Sequence, residues 1–71
     1  MNNFITLNLQ KLKLKKIQNP EIDLRILLNS SKYSKNEIIL SNFNLSQINI
    51  EQFNLLLNRR LANEPISKIL N

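Results

Sequence analysis

Residues Leu55–Leu70 read LLLNRRLANEPISKIL, an apolar run that two adjacent arginines and a Glu-Pro pair interrupt. Apolar residues before and within this stretch recur at spacings of three and four: Ile50, Phe53, Leu57 and Leu61. That spacing places them on one face of a long α-helix, which we expect to pack against a core.

The ends of this helix can be predicted from its flanking residues. Its start is predicted at Ser46, with Asn49 as an alternative N-cap, because both residue types cap helices well. A proline is tolerated in the first turn of a helix, so Pro65 predicts a further short helix that begins near Asn63 or Glu64. The stretch therefore predicts two consecutive helices near the end of the chain.

Two segments upstream carry start signals of their own. Asn19 followed by Pro20 is typical of an N-cap and the first helical position. Ser34 and Glu37 have the spacing of a capping box, and a hydrophobic staple is predicted around it between Tyr33 and Ile38. These signals predict a second and a third helix.

The first segment, residues 4–17, has an ambiguous apolar pattern. Its aliphatic residues alternate as in a strand, but the phase breaks at Gln10 and Lys11. As a helix it has two apolar faces, one with Ile5, Leu9 and Leu12 and the other with Leu7, Leu14 and Ile17. We favour the helix, packed between two neighbours, because a lone strand would have no partner. The expected fold is all-α, a compact bundle or array of about five short helices in a single domain, residues 1–71.

The composition excludes several classes of site. The chain of 71 residues has no cysteine, histidine or glycine. Disulfides and ordinary zinc, copper or haem sites are therefore excluded, and so are the glycine-rich loops that bind nucleotides and dinucleotides. We expect no metal, cofactor-binding or catalytic residue in this chain. No apolar run reaches the ~20 residues of a membrane span, and the order of charges at the N-terminus does not fit a secretory signal, so a cytoplasmic protein is expected.

One carboxylate is expected to face the core. Helical spacing places Asp23 between Ile26 and Leu27 on the inward side of the second helix, where it needs a paired donor. Arg60 borders the inner face of the long helix, so we predict an Asp23–Arg60 ion pair, with Glu64 as a competing acid. A structural role for Asp23, Arg60 and Glu64 is favoured over a catalytic one, since no nucleophile or base accompanies them.

The outer face of the long helix is the candidate docking surface. Ile48, Leu55 and Arg59 fall on one stripe behind the core-facing residues, and two apolar residues there require another helix or a partner. The net charge of +5 admits a nucleic-acid partner, and Lys11, Lys13, Lys15 and Lys16 form the one basic cluster. Because a helix spreads these lysines around its circumference, we expect only weak, non-specific nucleic-acid binding.

Two blocks, DLRILL and the stretch quoted first, resemble the N-terminal domain of the release-factor glutamine methyltransferases of the HemK/PrmC type. That family has Asp-Ala-x-x-Leu-Leu in its second helix and Leu-Leu-x-Arg-Arg-x-x-x-Glu-Pro-Ile/Leu near the domain's end. The matching positions are Asp23, Leu27, Leu28, Leu56, Leu57, Arg59, Arg60, Glu64, Pro65, Ile66, Ile69 and Leu70. The resemblance covers about Ile17 to Asn71. Asn63 and Asn71 stand where the family usually has glycine, and both keep tolerance for a left-handed backbone.

The resemblance implies a two-domain enzyme of which this chain is the first part. In the family a Rossmann-like domain with an Asn-Pro-Pro-Tyr motif follows; it binds S-adenosylmethionine and methylates the Gly-Gly-Gln glutamine of class I peptide chain release factors. We therefore expect the catalytic domain to be absent from this chain, which would be a monomeric module that helps dock the release factor and contacts its own catalytic domain. The alternatives are a small basic nucleic-acid-binding module and a self-standing protein-interaction or oligomerisation bundle.

Overall fold

The computed structural model describes residues 3–70, and the expected helix stop at Asn71 lies outside them. Four α-helices form in this range: α1 (Asn3–Leu14), α2 (Pro20–Ser30), α3 (Ile50–Leu61) and α4 (Ile66–Ile69). Two 3-10 turns, Leu40–Asn42 and Leu45–Gln47, lie between α2 and α3. Within residues 3–70 extended pairing is limited to a single bridge between Lys32 and Ile48, so the all-α class is confirmed.

The first segment is a helix, but it buries one face rather than two. Ile5, Leu9 and Leu12 are buried, as the sequence predicts. On the predicted second face Leu7 is 53% exposed and Leu14 is 77% exposed. The expectation that α1 packs between two neighbours is therefore wrong. Ile17 is buried because the chain turns back onto the core after α1 has ended.

Helix α1 ends in a turn that uses a left-handed lysine. Lys16 has φ 58°, its N–H donates to Lys13 O at 2.9 Å, and Ile17 N–H donates to Leu12 O at 3.3 Å. This pair of bonds is the Schellman motif, which satisfies the last carbonyl groups of a helix. The turn carries the chain directly into α2, where Pro20 occupies the first turn; Asn19 stands at the N-cap but makes no side-chain capping bond.

The predicted third helix is not formed. Residues 31–39 follow an irregular path, with Ile38 buried at 1% exposure and Ile39 exposed at 63%. Tyr33 is exposed, so the predicted staple with Ile38 is absent as well. Asn29 fixes this path, because its Oδ1 accepts a hydrogen bond from Ile38 N–H at 2.9 Å. The Ser34–Glu37 spacing was therefore misleading.

Helix α3 begins at the alternative cap. The Asn49 side chain accepts a hydrogen bond from Gln52 N–H, and Ser46 lies in the preceding 3-10 turn. That turn has its own capping box, formed by Asn44 and Gln47. The predicted inner face of α3 packs into the core, with Phe53 and Leu57 buried and Ile50 and Leu61 partly buried against them.

One core cluster joins all four helices. It contains Ile5 from α1, Leu24 from α2, Phe53 from α3 and Ile69 from α4. An aromatic group lies within the same core region: the ring of Phe4 lies 5.5 Å from that of Phe43 and 5.3 Å from that of Phe53. These contacts hold α1 and α3 to Phe43, which follows the first of the two 3-10 turns.

Candidate functional site

The α3–α4 junction is a tight left-handed turn. Asn63 has φ 70°, its N–H donates to Arg60 O at 3.0 Å, and Glu64 N–H donates to Arg59 O at 3.2 Å. These bonds form a second Schellman motif, and Asn63 occupies the position that glycine most often takes. Asn63 thus ends α3 rather than beginning α4, which starts at Ile66 after Pro65. The predicted start of the last helix is corrected accordingly.

Arg60 links three parts of the chain. Its Nε donates to Asp23 Oδ2 at 2.9 Å, and its Nη1 donates to the backbone carbonyl of Glu64 at 3.1 Å. The Asp23 side chain is 12% exposed and that of Arg60 is 19% exposed. The planar guanidinium can serve both acceptors at once. One side chain therefore ties α2 to the end of α3 and to the turn that follows it.

Arg59 forms a separate and more exposed ion pair. Its Nε and Nη2 donate to Glu64 Oε2 at 2.9 and 2.8 Å, and its Nη1 reaches the carbonyl of Ile69 at 3.5 Å. In a Schellman motif the side chains at these two positions usually make an apolar contact. Here an ion pair takes its place. The carboxylate of Glu64 thus pairs with Arg59, and the Asp23–Arg60 pair receives only its backbone carbonyl.

The polar contacts of this junction connect structural elements to one another. Every buried side-chain nitrogen and oxygen within residues 3–70 has a hydrogen-bond partner. The same residues contain no group of three or more carboxylates able to hold a metal ion. What the arrangement can do is hold α4 in a fixed direction relative to α2 and α3.

The candidate docking surface is smaller than the sequence indicates. Leu55 is 64% exposed, and the Arg59 side chain is 44% exposed on the same side of α3. Ile48 is 3% exposed and has to be removed from the surface. It precedes α3 and is held by the bridge to Lys32, so the helical stripe does not extend back to it.

The basic cluster is solvated. Lys11 and Lys13 lie on α1, Lys15 and Lys16 lie in the turn after it, and all four are exposed. A second basic region, around Arg25 on α2, was missed by the sequence reasoning. The signal that could have found it is the recurrence of Ile22, Arg25, Ile26 and Asn29 at helical spacing, on the side of α2 opposite its buried face.

The fold and the junction together define a small all-α domain whose paired arginines fasten its last helix. The chain belongs to the PrmC N-terminal domain family, whose sequence model matches residues 7–70. No curated protein and no solved structure matches it. The matched range includes the arginine pair and all four helices in whole or in part. Among residues 3–70, no helix has the length and apolar character needed to cross a membrane.

Proposed function

We propose that this chain is the non-catalytic N-terminal domain of an S-adenosylmethionine-dependent protein-glutamine methyltransferase. Its task is to help dock a class I peptide chain release factor, so that the glutamine of the Gly-Gly-Gln loop reaches a separate catalytic domain. The observation that supports this proposal is the match of the PrmC N-terminal domain family to nearly the whole chain. Docking increases the rate by proximity and orientation, which can contribute several kcal/mol to a bimolecular reaction.

The cofactor does not fit the residues of this chain. Backbone cradles for nucleotide-like cofactors use left-handed positions and glycines that allow close approach. The chain has no glycine, and the left-handed residues within 3–70, Lys16 and Asn63, are both used to end helices. We therefore assign S-adenosylmethionine to the catalytic domain alone.

The surface proposed for the release factor is the exposed side of α3 around Leu55 and Arg59. A leucine that is 64% exposed gains from burial in a complex, and Arg59 adds a charged group beside it. Arginine is enriched at the centres of protein interfaces. The ion pair with Glu64 holds the Arg59 side chain in place, which reduces the entropy lost on binding.

The test is methyl transfer by the full-length enzyme that carries this domain. Labelled S-adenosylmethionine and a purified class I release factor are the substrates, and Leu55→Glu is compared with Leu7→Glu, since Leu7 is a similarly exposed leucine on α1. We expect Leu55→Glu to raise KM for the release factor about tenfold with kcat little changed, because it removes binding and not chemistry. Leu7→Glu should leave both constants unchanged.

Two results would contradict different parts of the proposal. If the wild-type enzyme transfers no label to the release factor, the assigned function is wrong. If label is transferred and both variants behave alike, the function stands and the docking surface has to be sought elsewhere on the domain.

A further inference from the structure

Helix α2 has a second, outward face that the fold leaves uncovered. Its inner face buries Leu24, Leu27 and Leu28 in the core. On the outer side Ile22 is 48% exposed and Ile26 is half-buried, one helical turn apart. Because residues four apart on a helix are neighbours, the two isoleucines form one exposed aliphatic pair on this face.

The segment after α2 forms the other wall of a groove beside these isoleucines. The groove has a volume of about 650 Å³, and Lys32, Lys35 and Glu37 line its far side. Asn29 joins the two walls through its Oδ1, which accepts from Ile38 N–H at 2.9 Å and from Lys32 Nζ at 3.3 Å. Its Nδ2 donates to Arg25 O at 2.9 Å within α2. The groove is thus part of the folded domain and needs no rearrangement to form.

The charge of the groove is mostly positive. Arg25, Lys32 and Lys35 contribute cations, and Glu37 contributes the one carboxylate in the lining. Among residues 3–70 the ion pairs are Arg59–Glu64 and Arg60–Asp23, so Arg25, Lys32 and Lys35 form no ion pair with an acid in that range. A partner that brings carboxylates would meet complementary charge in the same groove as the isoleucine pair.

We propose that this groove binds an acidic, aliphatic peptide segment of a partner protein. The aliphatic side chains of the segment would pack on Ile22 and Ile26, and its carboxylates would pair with Arg25, Lys32 and Lys35. A single-stranded nucleic acid fits less well, because such ligands bind by stacking on aromatic side chains and none lines the groove. The proposal does not depend on the release factor as partner.

The test uses the 71-residue chain and three labelled probes. These are a short peptide of glutamate and leucine, the same peptide with glutamine in place of glutamate, and an oligouridylate of similar length. Binding is measured by fluorescence anisotropy, and the site is mapped from amide chemical shifts. The double variant Arg25→Glu/Lys35→Glu reverses the groove charge, and Lys11→Glu/Lys68→Glu makes the same change in net charge at exposed positions outside the groove.

We expect the acidic peptide to bind and to shift the amides of α2 and residues 31–37. The groove variant should weaken its binding about tenfold more than the matched control does, since two attractive charges become repulsive. Ile22→Gln should weaken binding as well, whereas Leu55→Gln should not. The proposal is overturned if the acidic peptide does not bind, if the glutamine peptide binds equally well, or if the two charge variants behave alike. Tighter binding of the oligouridylate, lost in the groove variant, would identify a nucleic-acid site instead.

Discussion

The Asp23–Arg60 pair is a contact between single residues for which the sequence alone provides an argument. A carboxylate on the inward side of a helix requires a donor, and the phase of α3 leaves Arg60 facing it; the atoms lie 2.9 Å apart. The partner of Glu64 could not be predicted in the same way. Its pairing with Arg59 depends on the left-handed turn at Asn63, which brings positions five apart in sequence into contact.

At this scale we predict that Arg60→Ala lowers the free energy of unfolding by about 2–4 kcal/mol. The substitution leaves the largely buried Asp23 carboxylate without its partner and frees the Glu64 carbonyl. Arg59→Ala, the matched control on the neighbouring residue, should cost less than about 1 kcal/mol because its ion pair is exposed. Urea unfolding followed by circular dichroism measures both. A larger loss of unfolding free energy in the Arg59 variant would mean that the exposed Arg59–Glu64 pair stabilises the domain more than the buried Asp23–Arg60 pair.

At the scale of elements, the helices that the sequence predicts correctly are those that bury a continuous face. In α1, α2 and α3 the apolar spacing and the core agree. The Ser34–Glu37 capping box failed because the residues after it cannot share a helical face. Ile38, Ile39 and Leu40 are consecutive, and their burial alternates as in an extended chain. A local start signal forms no stable helix without a packed face behind it.

The end of α1 could not be predicted from the sequence either. In a chain without glycine a helix stop can fall on any residue, and here it falls on Lys16 with φ 58°. A left-handed backbone costs a residue with a Cβ atom about 1–2 kcal/mol, and asparagine is the residue that tolerates it best after glycine. Asn63 therefore fits its turn better than Lys16 fits the equivalent one.

We predict that Lys16→Gly stabilises the domain by about 0.5–1 kcal/mol. Glycine relieves the strain at the left-handed position, although it also raises the entropy of the unfolded chain. The neighbouring Lys15 is not left-handed, so Lys15→Gly should destabilise by a similar amount. Thermal melts of the two variants compare their stabilities, and each variant loses one positive charge. If both variants are destabilised equally, the turn after α1 does not store strain in solution.

At the scale of the molecule, the all-α class and the family resemblance were both accessible from sequence, since they depend on apolar periodicity and on the spacing of the arginine pair from Glu64 and Pro65. The candidate binding surfaces were harder to predict from the sequence. Ile48 lies on the helical stripe by spacing, but its side chain is buried in the core, and its backbone is bridged to Lys32, a residue distant in sequence. The groove beside α2 likewise needs the path of residues 31–39, which no local pattern specifies.

The last prediction concerns whether α4 unfolds with the rest. A domain of this length is expected to have a stability of about 4–10 kcal/mol, and its core is one cluster that includes Ile69. If α4 belongs to the same cooperative unit, Ile69→Ala should lower the midpoint of a single urea transition, at a cost of about 2–5 kcal/mol. Leu70→Ala removes the next side chain, which is 46% exposed, and should shift the midpoint little. An unchanged main transition in Ile69→Ala, with a small separate loss of helical signal, would show that α4 unfolds independently of the other helices. The contacts of Arg59 and Arg60 would then not be sufficient to make α4 part of the same cooperative unit.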